Sequence, residues 1–235
     1  MNQFFYSDNV FGETIILPED EAYHALKVLR KHQGENIVVV DGEGGWYKTI
    51  LETDNIQNCK LKIVDRKEEF GKSGHYIHIA MAPPKSHDRT EYFVEKSVEI
   101  GIQEISFVLS GYSERNNIKL NRIRSRAISS MKQSLKAYLP KINDIRPIND
   151  FLESCSNSEK YVGYLGEDDT NLLSKNANLG NNYCVLIGPE GDFMPEEVDL
   201  ALSCDFQTIS LGKSRLRTET AGIVACHILN LINEK

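Results

Sequence analysis

The chain of 235 residues has only five cysteines, at positions 59, 155, 184, 204 and 226, and no C-x-x-C pair. Such spacing excludes a zinc ribbon and a disulfide framework and suits a reducing compartment. Long hydrophobic runs are also missing. The longest aliphatic run, Ile37-Val38-Val39-Val40, is far below the roughly 20 residues that a membrane span needs. The start, Met1-Asn2-Gln3-Phe4-Phe5, has no basic group and no apolar stretch, so no secretory signal and no membrane are expected, and the cytoplasm is the expected location. The six histidines form no ligand-spaced pair with carboxylates, so no metal is expected. Gly212-Lys213-Ser214 lacks the glycine that a P-loop places five positions earlier, where Gln207 stands, and no G-x-G-x-x-G occurs in the second half. Readings as a nucleoside-triphosphate or Rossmann dinucleotide protein both fail.

What is present is an ordinary globular balance, 40 % apolar and 26 % charged, with enough hydrophobic material for one large domain or two small ones. The net charge of −7 argues against a nucleic-acid partner until its distribution is read. Residues 115–146 hold nine basic groups, Arg115, Lys119, Arg122, Arg124, Arg126, Lys132, Lys136, Lys141 and Arg146, against a single acidic one, Asp144. Ordinary surfaces intersperse the two signs. A +8 island in an acidic chain is the footprint that a phosphate backbone would meet; the plainer reading is a solvated helix face.

Residues 1–70 read as short strands around one helix. A strand at Thr14–Leu17 precedes a helix from Pro18, with Ala22, Leu26 and Leu29 on one face and basic groups before Gly34. Strands follow at Asn36–Val40, Trp46–Leu51 and residues 60–64, with a glycine turn at 41–45. This pattern predicts a small β-barrel-like domain, followed by a linker over 65–74. From residue 75 strands and helices alternate: strands at 75–81, 105–109, 161–165, 183–187 and 206–211, helices at 88–100, 120–138, 195–202 and 218–232. That is α/β with a mostly parallel sheet over 75–235. The last helix is apolar nearly all round, and a second subunit would cover it economically.

Three segments turn on small or polar residues where strands end: 165–168, 187–192 and 211–221. In open α/β sheets ligands bind outside such ends, and glycine lets bare backbone approach them. Leu186-Ile187-Gly188-Pro189-Glu190-Gly191, followed by Leu211-Gly212-x-x-x-Leu216-Arg217-Thr218-Glu219-Thr220-Ala221, resembles the RsmE family of S-adenosylmethionine-dependent methyltransferases, in the SPOUT superfamily. Val28-Leu29-Arg30 with Asp41-Gly42 resembles its PUA-like RNA-binding domain. Residues 95–101 resemble its K-[SAG]-x-E-[LI]-G helix end, and Ser113-Glu114-Arg115 its S-E-R loop. One segment departs: where the family often has Gln-Ser-Gly-Arg, this chain has Gln133-Ser134-Leu135-Lys136, and Lys136 offers charge without a bidentate fork.

The resemblance implies a small PUA-like β-barrel domain followed by a knotted α/β SPOUT domain, with a deep trefoil knot in the carboxyl-terminal half. It also implies a homodimer, and methylation of N3 of a uridine in 16S ribosomal RNA of the small ribosomal subunit. The cofactor, S-adenosyl-L-methionine, would then meet Leu165, Gly166, Ile187, Gly188, Glu190, Gly191, Leu211, Gly212, Leu216, Arg217, Thr220 and Ala221. Methyl transfer is an in-line displacement that depends on positioning. Loss of the N3 proton spreads negative charge onto O2 and O4, which Arg217 would stabilise unless it is paired with Glu190 or Glu219. Glu190 or Glu219 would take the proton or, on the plainer reading, anchor backbone amides. Arg30, Lys31, Arg115, Arg122, Arg126, Lys132 and Lys136 are the expected RNA contacts. A methyltransferase of transfer RNA or of another base, and a ribosome-associated RNA-binding module without activity, are the competing readings.

Overall fold

The computed structural model describes residues 3–164 and 171–234. The chain divides into two compact units: Met1–Lys72 with Ile128–Leu139, and Ser73–Ala127 with Pro140–Lys235.

The first unit is one six-stranded sheet. Its strands are β1 (Phe4–Tyr6), β2 (Val10–Phe11), β3 (Thr14–Leu17), β4 (Asn36–Val40), β5 (Trp46–Leu51) and β6 (Cys59–Lys67), ordered β1-β4-β5-β6-β3-β2. β1 runs parallel to β4; the other pairs are antiparallel. β-Branched residues suit a pleated, half-buried surface, and Ile15, Ile37, Val39, Leu51 and Leu61 meet beneath the sheet. Asp41 builds the β4–β5 turn: its Oδ1 accepts from Glu43 N at 2.8 Å and Gly45 N at 2.9 Å, and its Oδ2 from the Tyr47 hydroxyl at 2.9 Å. Gly44 has φ +100°, and a methyl group there would collide with Tyr138. β6 continues to Lys67, so the expected linker begins as strand, because residues 65–67 pair with Trp46, Tyr47 and Lys48.

The expected helix from Pro18 is in fact two pieces, α1 (Glu19–Tyr23) and a π turn over His24–Val28. The wider turn changes the buried face. Ala22 and Ala25 are buried while Leu29 is exposed, and Arg30 ends the segment with φ +56°.

In the second unit β7 (Tyr76–Met81), β8 (Glu104–Leu109), β9 (Lys141–Pro147), β10 (Glu159–Gly163), β11 (Asn182–Ile187) and β12 (Gln207–Ile209) form an all-parallel sheet. Its order is β12-β10-β11-β7-β8-β9. The helices are α2 (His87–Ile100), α3 (Leu120–Gln133), α4 (Ile148–Ser154), α5 (Leu173–Asn176), α6 (Pro195–Ser203) and α7 (Thr218–Asn233); α3 passes into the first unit at Ile128. Burial on both faces explains the near-continuous apolar strands. Phe151 and Leu152 of α4 and Val198 and Ala201 of α6 pack on Ala80, Val108, Val162 and Leu186. α7 packs on β7, β11 and α2, with Gly222 against the Phe93 ring. β9 and α4 lay unrecognised in the sequence.

α3 stops at Gln133, short of the expected 138. Lys136 N donates to Met131 O at 3.0 Å and Leu135 N to Lys132 O at 3.2 Å, with Leu135 at φ +56°. This is a Schellman ending, normally completed by glycine. Residues 136–139 then belong with the first unit, where Leu139 N donates to Gly42 O at 2.8 Å. Among the described residues no helix is long and apolar enough to cross a membrane.

Candidate active site

β10, β11 and β12 end at Gly163, Ile187 and Ile209, and the residues that follow enclose a cavity of roughly 380 Å3 within the second unit. Its place at the carboxyl ends of parallel strands is where such sheets bind ligands, and its size suits a small organic molecule. Three glycines, Gly163, Gly188 and Gly212, stand in its wall. A methyl group on Gly188 would lie 3.0 Å from Phe193 Cε2, and Gly212 has φ +128°, so neither position readily takes a side chain. The Thr218 hydroxyl donates to Gly188 O at 3.0 Å and ties the first turn of α7 to the second loop. Ile187, Ile209, Leu211 and Leu216 supply the apolar lining.

Glu190 lines the cavity, whereas Glu219, in the first turn of α7, is buried beside it. Arg89, near the start of α2, lies against both, with Nη1 3.8 Å from Glu190 Oε1 and Nε 3.6 Å from Glu219 Oε1. Lys85 N donates to Glu190 Oε1 at 3.5 Å. The other Glu219 oxygen, Oε2, is buried without a hydrogen-bond partner among the described residues. Arg217 lines the cavity, is exposed, and has no ion pair among the described residues. Of the two readings open for Arg217, pairing with a glutamate is therefore not realised: Arg89 fills that role. No spacing rule singles out Arg89, because its partners, Glu190 and Glu219, lie far along the chain.

Of the expected cofactor contacts, Ile187, Gly188, Glu190, Leu211, Gly212, Leu216, Arg217 and Ala221 line the cavity. Gly191 stands just outside that wall against Tyr112, and Thr220 does not reach it. Leu165 and Gly166 lie outside the described residues. Sequence reasoning missed Tyr164, Pro189, Asp192, Ser214, Arg215 and Thr218. Ser214, Arg215 and Thr218 stand inside the motif already recognised, so treating its whole length as wall would have found them.

The basic island is less bare than the linear sequence suggests. Arg126 Nη2 lies 3.2 Å from Glu91 Oε2 and its Nη1 3.3 Å from Glu95 Oε2; Arg122 also pairs with Glu91 and lies 3.5 Å from Asp88. Glu91 is buried, so these arginines satisfy a buried carboxylate. Lys132 pairs with buried Glu21 in the first unit, and Lys31 with Glu35 at 2.7 Å. Arg115 donates from Nε to the carbonyls of Pro84 at 3.2 Å and Lys85 at 3.1 Å. Arg30 is exposed and Lys136 half-buried. The expected lack of acidic counter-charges is thus corrected: other elements supply them.

A parallel sheet with a glycine-walled cavity at its strand ends, joined to a small mixed β unit, defines the class. The profile of the RNA methyltransferase domain matches residues 72–230, and that of the RNA methyltransferase PUA domain matches residues 17–64. A ribosomal RNA small subunit methyltransferase E of Mesomycoplasma hyopneumoniae is 33 % identical over 237 residues, 95 % of this chain and 96 % of that protein. The crystal structure of a probable rRNA-methyltransferase from Porphyromonas gingivalis matches with a TM-score of 0.92 at 38 % identity, covering 98 % of both chains. A ribosomal RNA small subunit methyltransferase E from Neisseria gonorrhoeae bound to S-adenosyl methionine matches with a TM-score of 0.88 at 26 % identity, over 99 % of this chain and 98 % of that one. The chain belongs to the ribosomal RNA small subunit methyltransferase E family.

Proposed function

We propose that this protein methylates N3 of a uridine in 16S ribosomal RNA of the small ribosomal subunit, in the cytoplasm, with S-adenosylmethionine bound in the cavity beyond β10, β11 and β12. The observation that carries the reading is the convergence on one cavity of the loops after Ile187 and Ile209 and the first turn of α7. The wall suits the cofactor chemically. Apolar Ile187, Leu211 and Leu216 can face a flat purine, exposed backbone can meet its polar edge, and Glu190 and Asp192 offer negative charge to its cationic groups. Its relative from Neisseria gonorrhoeae binds that same molecule.

The cofactor supplies an activated methyl group on a sulfonium. The chain must hold the uracil in line and take its N3 proton. Glu190, the cavity-lining carboxylate that lies beside Arg89, accepts that proton, and Glu219 sits behind it and orients Arg89. Arg217, with no competing carboxylate, faces the negative charge that develops on O2 and O4. Arg30 and Lys136 meet phosphates through the PUA-like unit. The same proposal includes a knot in the carboxyl-terminal half and a homodimer that covers α7, where Leu231 is exposed and Ile223, Val224 and Ile228 are only partly buried.

The test is transfer of labelled methyl from S-adenosylmethionine to small subunits from cells lacking this gene, with the product mapped by mass spectrometry. One methyl at N3 of a single uridine is expected. Label on another base or on transfer RNA, or no transfer at all, overturns the proposal.

A further inference from the structure

Tyr112 is half-exposed, with 51 % of its surface open, so its ring is available to a partner. It lies across the backbone of Gly191: a methyl group on that glycine would come within 3.2 Å of Tyr112 Cβ and 3.5 Å of its Cγ. The residues on either side of Gly191, Glu190 and Asp192, line the cavity, so Tyr112 stands against a loop that forms part of the cavity wall.

The loop that carries Tyr112 is held rigidly. Gly111 N donates to Glu197 Oε1 at 2.8 Å, while Met194 N donates to Glu197 Oε2 at 2.9 Å, so one carboxylate ties this loop to the one beneath it. Met194 packs so closely on Gly111 that a side chain there would strike its sulfur. Ser110 and Ser113 close the turn on each other, with Ser110 N donating to Ser113 Oγ and Ser113 N to Ser110 O, both at 3.0 Å. Arg115 anchors the far end on the carbonyls of Pro84 and Lys85. A loop already fixed by its surroundings loses little backbone freedom when a flat partner settles on the side chain it carries.

We propose that Tyr112 is the stacking platform for the unpaired nucleobase that enters the cavity, and so a substrate-positioning residue of this enzyme. The proposal rests on the methyltransferase reading above and specifies how the base is held. Splayed bases of single-stranded RNA stack on aromatic rings, and each such stack is sequence-tolerant. The ring therefore supplies orientation of the base plane, and identity of the base is left to the polar groups within the cavity.

The experiment uses the full chain with small ribosomal subunits lacking the methyl group. In Tyr112→Leu, KM for the subunit rises roughly ten- to hundredfold, while S-adenosylmethionine affinity, read by calorimetry, is unchanged. Tyr112→Phe stays close to the wild-type KM, since the ring and not the hydroxyl is used. Tyr112→Trp reports directly, its added emission being quenched when RNA is bound. A wild-type KM in Tyr112→Leu, a Tyr112→Phe as impaired as Tyr112→Leu, or an unquenched tryptophan overturns the proposal. Should Tyr112→Leu lose cofactor affinity through misfolding, the quenching of Tyr112→Trp decides. Wild-type protein that binds no S-adenosylmethionine or methylates no RNA overturns the parent reading instead.

Discussion

One guanidinium serves two carboxylates at the cavity edge, and the two differ in what they can reach. Glu190 is partly exposed and belongs to the wall, while Glu219 is buried and keeps one oxygen unpartnered among the described residues. Glu190→Gln should therefore lower single-turnover methyl transfer, measured at saturating S-adenosylmethionine, by about 10²–10⁴-fold. Glu219→Gln should cost less, because it acts only through Arg89; a larger loss in Glu219→Gln would reassign the proton. Glycine turns at strand ends were legible because a strand and the glycine after it form a local pattern. The link from Arg89 to Glu190 and Glu219 was not, because only the folded chain brings these residues together. Tyr112 was hidden for the same reason: nothing before residue 188 in the sequence marks it as a neighbour of Gly191.

Helix ends and buried polar clusters decide matters among the elements. At the end of α3, Leu135 occupies the left-handed position where the resembled family commonly carries glycine. A non-glycine residue in that conformation costs roughly 1–2 kcal/mol. Leu135→Gly is expected to raise stability by about 1 kcal/mol, seen as a higher Tm; a lower Tm would mean that packing of the Leu135 side chain outweighs the backbone strain. The apolar periodicity of α3 was visible through Met131, but Leu135 and Tyr138 continued the spacing by coincidence, so the pattern overran the true end.

At the opposite end of the sheet from the cavity, His78 is buried against Phe151, with Nε2 2.8 Å from Ser106 Oγ and Nδ1 3.3 Å from Asn157 Oδ1. Burial pushes its pKa below the usual 6.5; Glu104, 3.9 Å away, pulls the other way, and Lys141 and Arg146 add to the lowering. Burial raises the Glu104 carboxyl, but His78, Lys141, Asn143 and Tyr76 together outweigh it and hold it below the usual range. The fold therefore holds His78 neutral. The unfolded chain binds its proton below about pH 6.5, so stability is full above that pH and falls as pH drops toward the lowered folded value. Tm should decline as pH falls below about 6.5, and less so in His78→Gln. An equal decline in both would remove His78 from the explanation. The sequence marked residues 75–81 as a strand without revealing that one of its positions carried a polar network.

For the molecule as a whole, the basic island loses its simplest meaning. Arg122, Arg126 and Lys132 are engaged with buried Glu91 and Glu21, and removing them would strand a buried charge. Arg30 and Lys136 remain the phosphate partners proposed for the PUA-like unit. The double variant Arg30→Gln with Lys136→Gln should weaken RNA binding and flatten its salt dependence, by about one unit of slope for each phosphate no longer neutralised, with Tm unchanged. Lys132→Gln should instead lower Tm; the reverse pattern would restore the helix-face reading. The two-part organisation was legible from the change of rhythm near residue 75. The return of residues 128–139 to the first unit was not, because it depends on α3 turning at Leu135 and on the 41–45 turn accepting the chain beyond it.

The central claim is that the loops beyond β11 and β12 and the start of α7 together hold S-adenosylmethionine. Hydrogen–deuterium exchange of the intact protein with and without the cofactor tests it most directly. Protection concentrated in residues 187–192 and 209–221 is the expected result. Protection centred elsewhere, or none at saturating cofactor, would contradict it.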